Sequence, residues 1–198
     1  MSAQDMSKPH HLPVDERLER AAQLILRSRT FLDIWFYFES KDTRPAIIDT
    51  MNCFSEFFRF DIHAHFVAFI VHIAALFEKR RDSINLPNLA RELKQSNLMS
   101  AQAAADIDAL LSQADQLAPK VRILRSNLFA HRSAALSYDE VFKKAAITPG
   151  EMHNLTEIAL KIVNHLLMAR GLRDHFFNGL PRQDAEALLK TLKAARKP

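Results

Sequence analysis

Glycine is nearly missing from this chain: 3 residues among 198. So few positions free to take positive φ exclude the glycine-rich loops that cradle phosphates in dinucleotide and Walker-type sites. Cysteine is scarcer still. Cys53 is the single one, so no intrachain disulfide can close and no thiolate zinc site can form within one chain, which fits a reducing, cytoplasmic compartment. Long apolar runs are lacking as well. The longest uncharged one, Ile62 to Phe77, carries His63, His65 and His72 and falls short of the ~20 residues a membrane-spanning helix needs, so it is expected to be a buried helix rather than a membrane span. The opening MSAQDMSKPHHLPV has neither the apolar run nor the cleavage site of a secretory signal. Residues 1–12 therefore read as a frayed lead-in and 13–198 as one domain. Charge is only mildly one-sided, +4 with a pI near 9.3, which permits an anionic partner without requiring one.

What is present is helical periodicity. Leu18, Ala21, Ile25, Leu32 and Trp35 recur at three- and four-residue steps, predicting a long amphipathic helix from about Val14 to Phe38. Lys41 to Thr43 read as a turn. Pro45 can open a second helix, since a first turn does not need its missing N–H, and this helix is expected to carry Phe54, Phe57 and Phe58. Ile62, Phe66, Phe69 and Ile73 continue the period up to the charged stop EKRRD. After a loop at 83–85, a short helix carries Leu89 and Leu93, with Pro87 in its first turn.

A longer stripe follows, Ala103, Ile107, Leu110, Ala114, Leu117, Val121, Leu124, Leu128, His131 and Ala135. Pro119 interrupts it without shifting its phase, predicting a kinked helix or two nearly collinear ones. Ser137 with Glu140, and Thr148 with Glu151, read as capping boxes, the second followed by Pro149 at a first helical position. Met152 to Ala169 trace another long helix, and a last one ends in the basic tail KAARKP. No run alternates with period two. The fold class is all-α: an up-and-down core of long helices with short helices added.

Chemistry concentrates in RILRSNLFAHR, Arg122 to Arg132. Arg122, Arg125, Phe129 and Arg132 form a basic edge beside the apolar stripe that holds His131. Guanidinium groups donate forked hydrogen bonds to phosphate oxygens, and histidine exchanges protons near neutral pH, so a phosphodiester suits this edge. The plainer alternatives are a hydrogen-bonded core histidine and a solvated arginine face. In a regular α-helix Arg125 and His131 lie about 9 Å apart and point roughly 120° apart, so they do not share a face. A twofold dimer packing this seam against itself would place two sets of these groups in one cleft. His63 and His65 point about 200° apart on a helix, and His65 and His72 lie about 10 Å apart along one face, so neither pair chelates one ion and no metal site is expected.

RSNLFAHRS resembles the signature of the HEPN superfamily, an Arg, four to six residues and a His on a core helix of an all-α bundle. ALFEKRRDSINLPNLARELK, Ala75 to Lys94, is similar to the helix end and turn upstream in HEPN proteins of the abortive-infection type U group. The resemblance spans roughly Phe31 to Leu172. It implies a homodimer whose paired motifs line a cleft and, in active members, a metal-independent, cofactor-free endoribonuclease serving as a toxin or phage-defence effector, with an antitoxin or regulatory protein as a further partner. Arg125 would hold the scissile phosphate and His131 would transfer protons, with Arg122, Ser126, Asn127 and Arg132 contacting RNA. Ser126 stands where active members typically carry Asn, Asp or His. The resemblance equally admits a non-catalytic module binding RNA, a nucleotide or a protein.

Overall fold

A computed structural model describes residues 12–78, 80, 82–130 and 137–195. The lead-in expected at 1–12 lies outside them except for Leu12, whose carbonyl accepts from Arg17 Nε at 2.9 Å. The described residues form eight α-helices and one π-helical segment: α1 Val14–Glu39, α2 Arg44–Asn52, α3 Ser55–Leu76, α4 Leu86–Gln95, α5 Ala101–Leu124, the π segment Arg125–Ala130, α6 Tyr138–Ala145, α7 Pro149–Ala169 and α8 Leu180–Ala195. No strand occurs among them, and the all-α expectation holds.

The core is built where the apolar stripes meet. Leu18, Ala21, Ala22, Ile25 and Leu32 of α1 are fully buried, as are Phe69, Ile70 and Ile73 of α3, Ile107, Val121 and Leu124 of α5, and Leu155, Ile162, Val163 and Leu166 of α7. α1 packs along α3 and α7, and α5 along α7 with its far end against α3. Burying a Leu or Ile side chain in such a layer contributes about 1.5–3 kcal/mol, so these four helices form the bundle. α4 is held on α1 by a forked ion pair, Arg17 to both Glu92 oxygens at 2.8 and 2.6 Å. A second cluster, Tyr37, Phe38, Ile47, Met51, Phe58 and Leu189, seats α2 and α8 against the end of α1.

Two sequence expectations need correction. The second helix does not run on through the phenylalanines. It stops at Asn52, and Phe54 is the N-cap of α3. The turn re-aims the chain, so that α2 packs on α8 while α3 lies along α1. Of the two forms expected at Pro119, the chain takes the single helix, which continues from Ala101 to Leu124. Both Pro119 and Asp115, whose carbonyl loses its partner, lie on the exposed side where water can satisfy that oxygen. Finally, α3 is longer than the apolar stretch suggested and by length and composition could cross a membrane, with 33% of its most apolar window buried. Its Phe66, Phe69, Ile70 and Ile73 are nonetheless buried against the rest of the bundle, while Phe57 and Phe60 are exposed.

Both capping boxes form. Ser137 accepts from the Glu140 N–H while the Glu140 carboxylate accepts from the Ser137 N–H, and Thr148 and Glu151 do the same. Lys120 of α5 reaches across to Glu151 at 2.6 Å and to the Ala146 carbonyl at 3.0 Å.

Candidate nucleic-acid site at the end of α5

Arg122 and Arg125 sit where α5 changes geometry. Arg125 closes the α-helix, its N–H shared between the Val121 and Arg122 carbonyls, and opens the π segment Arg125–Ala130. Hydrogen bonding from i to i+5 widens the turn, so the angles of a regular α-helix do not apply from Arg125 onward. The angle of roughly 120° between Arg125 and His131 belongs to a regular α-helix, whereas the turn that begins at Arg125 is wider. π turns within α-helices are frequent at functional sites. His131 and Arg132 lie outside the described residues.

The other predicted residues divide. Arg122 and Ser126 are exposed. Asn127 is half-buried, and its Nδ2 donates to the Ile123 carbonyl at 2.8 Å, so this donor serves the backbone of the turn before it. Arg125 is the one held by a distant element. Its guanidinium forms an ion pair with Glu78, the side chains retaining 31% and 17% exposure.

Glu78 was passed over in the sequence, where it is only the first letter of the stop EKRRD. It follows Leu76 and Phe77, both buried and anchoring the end of α3. The turn beyond it is pinned by Asn85, which is fully buried. Asn85 Nδ2 donates to the Arg80 and Ser83 carbonyls at 2.8 and 3.2 Å, and Asn85 Oδ1 accepts from the Asn88 N–H at 2.9 Å as the N-cap of α4. Asn88 Nδ2 adds a second donor to the Arg80 carbonyl at 2.7 Å. The end of α3 delivers a carboxylate to the motif arginine, and Asn85 and Asn88 hold the described part of the turn that leads into α4. The two separate stretches that carry the family resemblance touch through Glu78 and Arg125.

His65 and His72 of α3 are occupied apart from this site. His65 Nδ1 lies 2.8 Å from the Asp61 carbonyl. Phe31 of α1 contacts both His65 and His72, at ring distances of 5.7 and 5.5 Å. His72 Nδ1 is buried without a hydrogen-bond partner, and burial, reinforced by Arg27, holds the His72 pKa below its ordinary value. Among the described residues no three of the His, Cys, Asp and Glu side chains are grouped to hold a metal ion.

A polar network that sequence reasoning missed joins α1 to α7. Arg29 binds Asp33 at 2.8 Å and Glu157 at 2.7 Å, and its guanidinium lies 4.6 Å from the Phe177 ring centre. His153 Nδ1 is 3.7 Å from Asp33. Burial lowers the pKa of His153, Arg29 adds to this, and Asp33 and Glu157 oppose it. Only the Arg29–Asp33 spacing of four was legible locally; the other partners come from far along the chain.

No curated protein and no solved structure matches the chain. The family model described as AbiU2, one of the HEPN families, matches residues 13–188. That match takes in α1 to α7 and part of α8, including both stretches that meet at Glu78 and Arg125. The chain belongs to the AbiU2 family of HEPN proteins.

Proposed function

We propose that this protein is a metal-independent endoribonuclease of HEPN type, acting in the cytoplasm as a homodimer whose paired motifs form one cleft, and serving abortive infection as a toxin or defence effector. The observation that carries the reading is Arg125, half-exposed at the first position of the π segment within the family match. In this scheme Arg125 binds the scissile phosphate and neutralises charge developing on the phosphorane, with Arg122 and Arg132 holding flanking phosphates. His131 transfers a proton as the ribose 2′-OH attacks the adjacent phosphorus and the 5′-oxygen leaves. The products are a 2′,3′-cyclic phosphate and a 5′-OH. Neither metal nor cofactor is needed, because the nucleophile belongs to the substrate. An antitoxin or regulatory protein would hold the activity in check, and α3 is read as a core helix rather than a membrane anchor.

A second reading has its own observation. Asn127, the polar residue nearest the place of the usual Asn, Asp or His, spends its Nδ2 on the Ile123 carbonyl, while Ser126 is exposed. This favours a non-catalytic module that binds RNA, a nucleotide or a protein through the same cleft.

The deciding assay incubates wild type, Arg125→Ala and His131→Ala with mixed single-stranded and structured RNA in EDTA. The first reading expects cyclic phosphate ends from wild type and a rate loss of about 10²- to 10⁴-fold in His131→Ala, the range for a lost general acid or base. Equal cleavage by all three proteins would overturn it. RNA bound but left intact by wild type would establish the second reading.

A further inference from the structure

Glu78 sets a carboxylate against Arg125, the residue that binds the phosphate in the reading above. Arg125 is the motif arginine, and a guanidinium recognises carboxylate and phosphate oxygens with the same N–H groups. The Glu78 side chain is the more buried of the two, and it is not a loose surface acid. Leu76 and Phe77 bury the helix end before it, and Asn85 and Asn88 fix the turn behind it through the Arg80 carbonyl. The other acid of this turn, Asp82, is engaged elsewhere, its Oδ2 2.7 Å from Arg80. The carboxylate thus reaches Arg125 from the buried end of α3, beside a turn that Asn85 and Asn88 hold through the Arg80 carbonyl.

Resting on the RNA-binding reading above, we propose that Glu78 is a specificity-determining residue of this site: an internal anion that occupies Arg125 until a polyanionic RNA strand displaces it. A lone phosphate must compete for Arg125 against a tethered carboxylate at high local concentration. An RNA strand that also engages Arg122 brings several phosphates at once, and its gain from the other contacts offsets the loss of the Glu78 pair. Arg125 is thereby reserved for chains of phosphodiesters over small anions. Glu78 touches Arg125 and is not placed against the reacting atoms, so it acts through the arginine.

The test is a double-mutant cycle on RNA binding by the full chain, using fluorescence anisotropy of a labelled single-stranded RNA at low ionic strength. The four proteins are wild type, Glu78→Gln, Arg125→Ala and the double variant, with circular dichroism confirming the fold of each. Competition by inorganic phosphate is measured alongside. Glu78→Gln is expected to bind RNA roughly two- to fivefold more tightly, the upper part of the range for release of a partly exposed ion pair, and to become more sensitive to inorganic phosphate. The gain should vanish when Arg125 is Ala. A gain that persists in the Arg125→Ala background would overturn the proposal, since Glu78 would then merely repel RNA as a charge. Arg125-dependent binding by wild type with equal or weaker binding by Glu78→Gln would also overturn it while leaving the RNA reading standing. Absence of RNA binding in wild type and in Glu78→Gln alike would remove the RNA reading and the proposal together.

Discussion

At the scale of single residues, Asn85 shows how much a buried amide can organise. Its side chain is fully buried and uses both ends, donating to the carbonyls of Arg80 and Ser83 and accepting from the Asn88 N–H. Asn85→Ala removes an N-cap and strips partners from backbone groups, a combined cost of about 2–3 kcal/mol. Asn85→Asp keeps the acceptor for Asn88 but turns an oxygen toward two carbonyls, so it should also destabilise. Urea unfolding at unchanged m-value checks this, and a midpoint in Asn85→Ala equal to wild type would show that the turn is held by something else. In the sequence Asn85 was only the end of a loop. A composition of Ser, Ile and Asn marks a turn, but it does not say which side chain is buried or which carbonyls it serves.

At the scale of elements, the two capping boxes have the same local chemistry and different consequences. Thr148 starts α7, whose Leu155, Ile158, Ala159, Ile162, Val163, Leu166 and Leu167 are all buried. Glu151 is also tied to Lys120, whose hydrogen bond holds its carboxyl below the usual range. Ser137 starts α6, a helix of 8 residues. Thr148→Ala should lower global stability by about 1 kcal/mol. Ser137→Ala should act chiefly on local opening of α6, raising amide exchange there while shifting the urea midpoint less. Equal global shifts would mean that α6 unfolds only together with α7. These boxes were legible because each is written within four residues, and the long helices because each repeats one apolar stripe. Two features escaped. The break at Cys53–Phe54 is required by where α3 must pack, since no glycine or proline marks it. The π segment was invisible because RSNLFA has nothing in its composition to widen a helix. The Glu78–Arg125 pair needed both the turn after α3 and the end of α5 to be placed first, so the motif arginine could be named in the sequence but its partner could not.

At the scale of the whole molecule, acid should act on this fold in two stages. The upper stage belongs to two histidines on different helices. His72 of α3 faces Arg27 and Phe31 of α1, and burial lowers its pKa below its usual 6.5. His153 of α7 is lowered by burial too, with Arg29 and Arg182 on the same side of the balance and Asp33 and Glu157 against it. A histidine whose folded pKa lies below its unfolded value binds protons more readily in the unfolded chain. Stability is therefore complete above about pH 6.5 and declines as pH falls from there toward the folded pKa values. The lower stage belongs to carboxylates held down by partners, Asp15 by Arg170, Glu151 by Lys120 and Glu186 by Lys190. Their stabilisation is present above unfolded values of 3.8 for Asp15 and 4.5 for both glutamates and is lost only as pH falls through still lower folded values. The two stages are separable between pH 7.5 and 5.5, where the carboxylates remain ionised. The urea midpoint of wild type should fall across that interval. His72→Phe, which replaces the unpartnered Nδ1 with an apolar ring, should fall less, because one of the two proton acceptors is gone from the unfolded reference as well as from the core. Identical slopes for the two proteins would show that His72 reaches water without unfolding, and would assign the upper stage to His153 and its network between α1 and α7.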